Sequence, residues 1–236
     1  MEPTHNSVPK HVAIILDGNR RFAKKLMLKP WKGHEWGEEK VEKTLDWLHE
    51  FGVAEVTFYA FSYENLNRPK KEFDYLMNIF REAFDRLKQD KRLDEYDIRL
   101  TFIGRIHLFP QHIQELMRDL MEKTKDHKEF LVNFAMVYGG REEIIDATKK
   151  IAEQVKKGAL DIHQINEETF SKELYTRDEP DLIIRTGGMK RTSNFLPYQS
   201  IYSEWIFLDK MWPEFEKDDL EMCIKEYQQR QRRFGR

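Results

Sequence analysis

One cysteine, Cys223, is all that the 236 residues contain. An intramolecular disulfide is excluded, a cysteine zinc cage is excluded with it, and a lone thiol fits a reducing cytoplasm. Cys223 reads as a small packing residue on a C-terminal helix. Net charge is nearly as scarce: 40 Lys+Arg against 42 Asp+Glu leave −2, so no global field draws the chain to nucleic acid or anionic lipid, and any anion site must be local. No uninterrupted apolar run approaches the ~20 residues that span a bilayer. The opening stretch Glu2 to Ser7 lacks the apolar core of a signal peptide or anchor, so a soluble chain is expected, with at most peripheral membrane contact. Internal repeats, low-complexity linkers and Pro/Gly-rich joints are missing too. One domain over residues 1–236 is expected, with 1–8 flexible and a length sufficient to bury a sizeable core.

What is present is an alternation. Short runs rich in β-branched and aromatic residues recur at Val12–Leu16, Val53–Tyr59, Ile98–Ile103, Phe130–Met136, Leu182–Ile184 and Trp205–Leu208, and these read as buried strands. Between them, Phe73, Leu76, Met77, Phe80, Phe84 and Leu87 step by three or four, as do Ile113, Leu116, Met117 and Leu120; these predict amphipathic helices. Another helix follows Gly139-Gly140, with Gly158 placed as its stop. Strand and helix in turn predict an α/β fold with a mainly parallel sheet and helices on both faces, since parallel strands need crossovers. Ligands of such sheets bind beyond the carboxyl ends of the strands.

Three strand ends are chemically dense. The first runs into Asp17-Gly18-Asn19-Arg20-Arg21, where a glycine turn, a helix start and two arginines would cradle a diphosphate. Asp17 suits such a place only if a hard cation sits between it and the phosphate; strand-Asp-Gly-Asn is equally an ordinary tight turn. The second ends in Phe61-Ser62-Tyr63-Glu64-Asn65, with Arg68 and Pro69 beyond. On spacing this is a helix cap, but the aromatic neighbours Tyr59, Phe61 and Tyr63 suit a ligand with an ionic head and an apolar body. The fifth ends in Arg185-Thr186-Gly187-Gly188, followed by Arg191 and Ser193: a second phosphate site by donor chemistry, or a basic glycine loop on the surface. Together they suggest two diphosphates and one metal.

In order and spacing these segments resemble the cis-prenyltransferases, the undecaprenyl and dehydrodolichyl diphosphate synthase group. The resemblance rests on His11–Lys24, Tyr59–Pro69, Asn133–Arg141, Asp181–Gly188, Arg191–Leu196, Ser203-Glu204 and Trp212-Pro213. It implies a six-stranded sheet flanked by helices, an apolar tunnel, a homodimer, and Mg²⁺-dependent addition of isopentenyl diphosphate to an allylic diphosphate with a Z double bond at each step. By position, Asp17 and Glu204 resemble the metal carboxylates. Gly18, Asn19, Arg20, Arg21, His34, Phe61 and Arg68 resemble the allylic-diphosphate site. Arg185, Arg191 and Ser193, with Arg233 and Gly235 from the neighbouring subunit, resemble the isopentenyl-diphosphate site. Ser62 and Asn65 join Asp17 as candidate catalytic groups, and bound phosphate, Asn65 and Ser62 are the alternatives for accepting the proton.

Arg20 stands where many bacterial members have glycine, and Met189 where they commonly have glutamate. The pattern is similar to archaeal members, which implies a geranylgeranyl or farnesyl starter and a long product such as undecaprenyl diphosphate, precursor of a glycosyl carrier lipid. The rival readings are a short-chain synthase, a non-catalytic subunit of a prenyltransferase complex, and a nucleotide-binding α/β module. A non-catalytic subunit is expected to lose the groups kept at Asp17, Arg21, Arg185 and Arg191.

Overall fold

A computed structural model describes residues 7–230. Six strands, β1 (His11–Ile15), β2 (Glu55–Ser62), β3 (Ile98–Ile103), β4 (Phe130–Tyr138), β5 (Leu182–Arg185) and β6 (Glu204–Phe207), form one sheet in the order β3-β4-β2-β1-β5-β6. Every pairing is parallel. The helices are α1 (Asn19–Lys25), α2 (Gly33–Glu50), α3 (Lys70–Leu87), α4 (Arg92–Glu95), α5 (Gln111–Lys123), α6 (Gly140–Lys156), α7 (Glu167–Ser171) and α8 (Lys217–Gln229). Gly158 does terminate α6, at φ +70°.

The two faces of the sheet are unequally covered. Alternation along β1 sends Val12 and Ile14 into a large core shared with residues of α2, α3, α4, α5 and α8, whereas Ala13 and Ile15 join a smaller cluster with Tyr59, Tyr138, Phe195 and Leu196. On that second face Tyr138 donates its hydroxyl to buried Glu143 of α6. Burial pushes the Glu143 carboxyl above the usual carboxylate range.

Register carries the strand ends to one place. Ile15 is level with Tyr59 on one side and Arg185 on the other, so Asp17, Ser62 and Arg185 emerge at the same edge of the sheet. The β2–β4 register shifts at Phe61 and again at Ser62, an irregularity that re-aims side chains at the edge. Arg68, before Pro69, stays extended at φ −67° and ψ 151°, as a residue preceding proline must. The chain therefore breaks there and restarts as α3 with Glu72 in its first turn.

Candidate active site

Glycine sets how closely the first turn packs. Gly18 sits at φ +113°, and a Cβ there would lie 2.7 Å from Met211 Cβ; a Cβ on Gly37 would fall 2.3 Å from Asn19 Oδ1. Only hydrogen at these positions lets Met211 close on the turn and α2 lie against the start of α1. Trp212 locks the junction: its backbone N–H donates to Asp17 O at 2.9 Å and its indole N–H to Gly37 O at 2.7 Å.

Arg185 is the centre of one cluster. Its guanidinium, 3 % exposed as a residue, donates through Nη2 to Asp17 Oδ2 at 2.9 Å and through Nη1 to Ser193 Oγ at 2.7 Å. It also donates to the carbonyl of Arg191, whose residue is exposed. Arg21 Nη2 lies 3.1 Å from Asp17 Oδ1. The loop beyond is held in unusual backbone: Ser193, Asn194 and Leu196 all have positive φ, a conformation that costs energy for residues with a Cβ and persists only when neighbours over-determine it. Those neighbours are Tyr59, whose hydroxyl donates to Ser193 O at 3.3 Å and whose ring stacks on Phe195 at 4.5 Å, and Glu142, which accepts from Asn194 Nδ2 at 3.0 Å.

A second cluster centres on Glu72, which the sequence pattern did not single out. Its side chain is 2 % exposed, with Arg68 Nη1 at 3.0 Å, Arg20 Nε at 3.6 Å and His34 Nε2 at 3.7 Å. The His34 contact holds the Glu72 carboxyl below its usual range, helped by the two guanidinium groups. Burial holds His34 below the ordinary imidazole value while Glu72 works against that shift. Arg20, His34 and Arg68, expected at one diphosphate, are thus gathered by one carboxylate. Ser62 and Asn65 form a reciprocal cap, with the Ser62 N–H donating to Asn65 Oδ1 at 3.2 Å. The cap and the cavity lining are the same residues.

A cavity of about 310 Å³ starts at these clusters, where Asp17, Asn19, His34, Asn65, Arg68 and Arg185 face it, and continues between α2 and α3 over β2 and β4. Its body is lined by Val41, Leu45, Leu76, Ile79, Phe80, Ala83, Phe84, Leu87, Phe134 and Met136. Phe61 closes one wall in edge-on contact with Phe73, Phe80 and Phe109. Glu38 and Glu42 of α2 also line it. Burial pushes the Glu38 carboxyl up to about 7, and Arg86 of α3 lies against both acids. An ionic mouth on an apolar body fits an amphiphile with an anionic head.

Among the described residues no three His, Cys, Asp or Glu side chains gather as a metal cage. Mg²⁺ takes one or two protein carboxylates and completes its shell with water and phosphate oxygens. Asp17, beside the guanidinium groups that would hold phosphate, fits a cation that arrives with a diphosphate. Glu204, expected beside Asp17 at the metal, stands apart from it within one chain. It opens β6 level with Leu182, whereas Arg185 is level with Ile15. The two carboxylates are therefore separated along the strands by more than about 10 Å, and Glu204 Oε2 instead accepts from Arg230 Nη1 at 2.7 Å. Arg233 and Gly235 lie outside the described residues.

Residues 15–235 match the model of a family described as putative undecaprenyl diphosphate synthase. The chain belongs to that family. It is 48 % identical over 231 residues, 97 % of its length and 85 % of the relative's, to a tritrans,polycis-undecaprenyl-diphosphate synthase (geranylgeranyl-diphosphate specific) of Methanopyrus kandleri. A protein of the same name from Methanocaldococcus jannaschii is 47 % identical over 235 residues, covering 98 % of this chain and 84 % of that one. The chain superposes on lavandulyl diphosphate synthase from Lavandula x intermedia in complex with dimethylallyl diphosphate, with TM-score 0.93, 33 % identity and coverage of 97 % and 99 %. With a probable undecaprenyl diphosphate synthase from Campylobacter jejuni the TM-score is 0.81 at 31 % identity, over 98 % and 100 % of the two chains. The protein is accordingly a prenyl-group transferase, an enzyme of cis-polyprenyl chain elongation.

Proposed function

We propose that this synthase extends geranylgeranyl diphosphate by repeated, Mg²⁺-dependent addition of isopentenyl diphosphate, giving a long Z-polyprenyl diphosphate of the undecaprenyl class that serves as precursor of a glycosyl carrier lipid. The observation that carries this reading is the single cavity that joins Asp17, Arg185 and Arg68 at its mouth to the apolar channel between α2 and α3. The starter is supported by the specificity in the names of the relatives at 47–48 % identity.

In this reading Arg20, Arg21, His34, Arg68 and the backbone of Gly18–Asn19 bind the allylic diphosphate, with its hydrocarbon passing Phe61. Arg185, Arg191 and Ser193 bind isopentenyl diphosphate, completed in a homodimer by Arg233 and Gly235 of a second copy. As the allylic C–O bond breaks, the electron pair leaves with diphosphate, and the guanidinium and N–H donors stabilise that charge. The isopentenyl double bond forms the new C–C bond and a proton is lost, to bound phosphate or to the Ser62/Asn65 pair. Mg²⁺ held by Asp17 and phosphate oxygens would supply further charge neutralisation to the leaving group. The apolar walls exclude water from the cationic carbon.

The test is incubation of the protein with Mg²⁺, labelled isopentenyl diphosphate and starters of ten, fifteen and twenty carbons, with chromatography of the products. Long Z-products, made best from the twenty-carbon starter, are expected. No elongation from any starter would overturn the reading, and products of only one or two additions would replace it with a short-chain synthase.

A further inference from the structure

Helix α1 ends in a Schellman turn. The Met27 N–H donates to Lys24 O at 2.9 Å and the Leu28 N–H to Ala23 O at 2.9 Å, the paired bonds that close a helix on a left-handed residue. That residue is Met27, at φ +58°, in a position where glycine has least strain. Met27 is 94 % exposed, and Leu26 and Leu28 are 43 % exposed each. Three consecutive apolar side chains are thus presented to water on a hydrogen-bonded frame, and the most exposed of them stands where glycine would remove both apolar surface and strain. Neither packing nor backbone geometry accounts for a methionine there.

Charge surrounds this tip. From Arg20 to Lys32 the sequence carries six basic residues and no acid, although the whole chain is at −2. Lys24, Lys25, Lys29 and Lys32 are all exposed. Lys25 pairs with Glu214 at 2.6 Å and Lys32 with Glu35 at 3.0 Å, while Lys29 sits 5.5 Å from the centre of the Trp31 ring. Asn19 and His34, which bracket the segment, both line the mouth of the cavity.

We propose that Leu26–Leu28 is a docking tip for an anionic lipid bilayer. Its apolar side chains enter the headgroup region while Lys24, Lys25 and Lys29 remain at the level of the lipid phosphates, the arrangement that gives weak, reversible and salt-sensitive attachment. The proposal rests on the elongation reading for its purpose, since the cavity mouth is then held against the phase into which a polyprenyl product partitions.

The test is flotation of the full-length protein with vesicles of equal parts phosphatidylglycerol and phosphatidylcholine, or of phosphatidylcholine alone, at low and high salt. Met27→Gly keeps the left-handed turn, so its thermal midpoint should equal or exceed that of the parent, while partition onto the anionic vesicles falls by about tenfold. Met27→Trp should raise partition, because indole favours the interface. Both variants should elongate a short starter in detergent at the parent rate. The proposal is overturned if the parent protein does not float with anionic vesicles, if Met27→Gly floats as well as the parent, or if Met27→Gly changes only sedimentation-velocity self-association. Loss of elongation in a protein that still floats would sink the proposed function and leave the docking tip standing.

Discussion

Arg185 Nη2 lies 2.9 Å from Asp17 Oδ2 across 168 positions of sequence, and Arg21 Nη2 lies 3.1 Å from the other oxygen of the same carboxylate. A carboxylate clamped between two guanidinium groups screens them from each other. Under the proposed function it would share them with the phosphate of an arriving diphosphate, and a cation would let all these charges coexist.

Asp17→Asn keeps the shape and removes the charge. Elongation should fall by roughly 10²–10³, and stability by about 1–3 kcal/mol because the buried Arg185 loses its ionic partner. Steady-state turnover and urea unfolding measure the two effects separately. Turnover within a few-fold of the parent would remove Asp17 from the chemistry.

Glu72→Gln should leave Arg20, His34 and Arg68 without their common anion. The KM for the allylic diphosphate should rise roughly tenfold as the three cations spread, with a smaller change in KM for isopentenyl diphosphate. Since Glu72 works against the burial that lowers His34, the imidazole should titrate lower still in the variant, which NMR of the ring protons would detect. An unchanged His34 titration would mean that the acid does not reach it.

Glu72 also marks where the sequence stopped being informative. An acid four residues after an arginine at the start of an amphipathic helix looks like an exposed ion pair, and its burial arises only when α1, α2 and α3 converge. The position of Glu204 was likewise not legible: it opens β6 level with Leu182, because a parallel neighbour fixes its level. Periodicity did find the strands, and Ile98–Ile103 agrees residue for residue. β2 and β4 run past their expected ends to Ser62 and Tyr138, where aromatic and polar residues needed at the site interrupt the aliphatic signal. Helices on both faces were anticipated, but not the disparity that leaves the Tyr59–Phe195 stack to build much of the second face. The strand-end clusters were legible because charge and glycine there depart from what a buried parallel sheet requires.

Burial pushes the Glu55 carboxyl up to about 8 and drops His11 to about 4, so near pH 6 this 3.6 Å contact joins two neutral groups. For His11 the unfolded chain binds more protons, and stability rises with pH between about 4 and 6.5. For Glu55 the folded chain binds more, and stability falls between about 4.5 and 8. The two oppose each other below 6.5, leaving Glu55 to act alone above it. Unfolding free energy should therefore drop by about 2 kcal/mol between pH 6.5 and 8.5, and Glu55→Gln should flatten that slope. Parallel curves for the two proteins would assign the pH dependence elsewhere.

Ala83 is the smallest side chain that α3 presents to the cavity, among Ile79, Phe80, Phe84 and Leu87. Ala83→Phe should shorten the mean product by several isoprene units while leaving the rate of the first addition within about twofold, since the mouth is untouched. Product chromatography and single-turnover kinetics read the two effects. An unchanged product distribution would exclude this wall from length control.

All six strands point their carboxyl ends the same way, and α2 and α3 both leave that edge and run back along the sheet for 18 residues, about 27 Å. Under the proposed function, a chain lengthened at the edge would be threaded backward, tail first, between two helical rails. Its length would then be registered by a moving far end and not by the reacting carbons. Such a molecule counts as a dipstick does, and recalibrating it requires changing depth without changing chemistry.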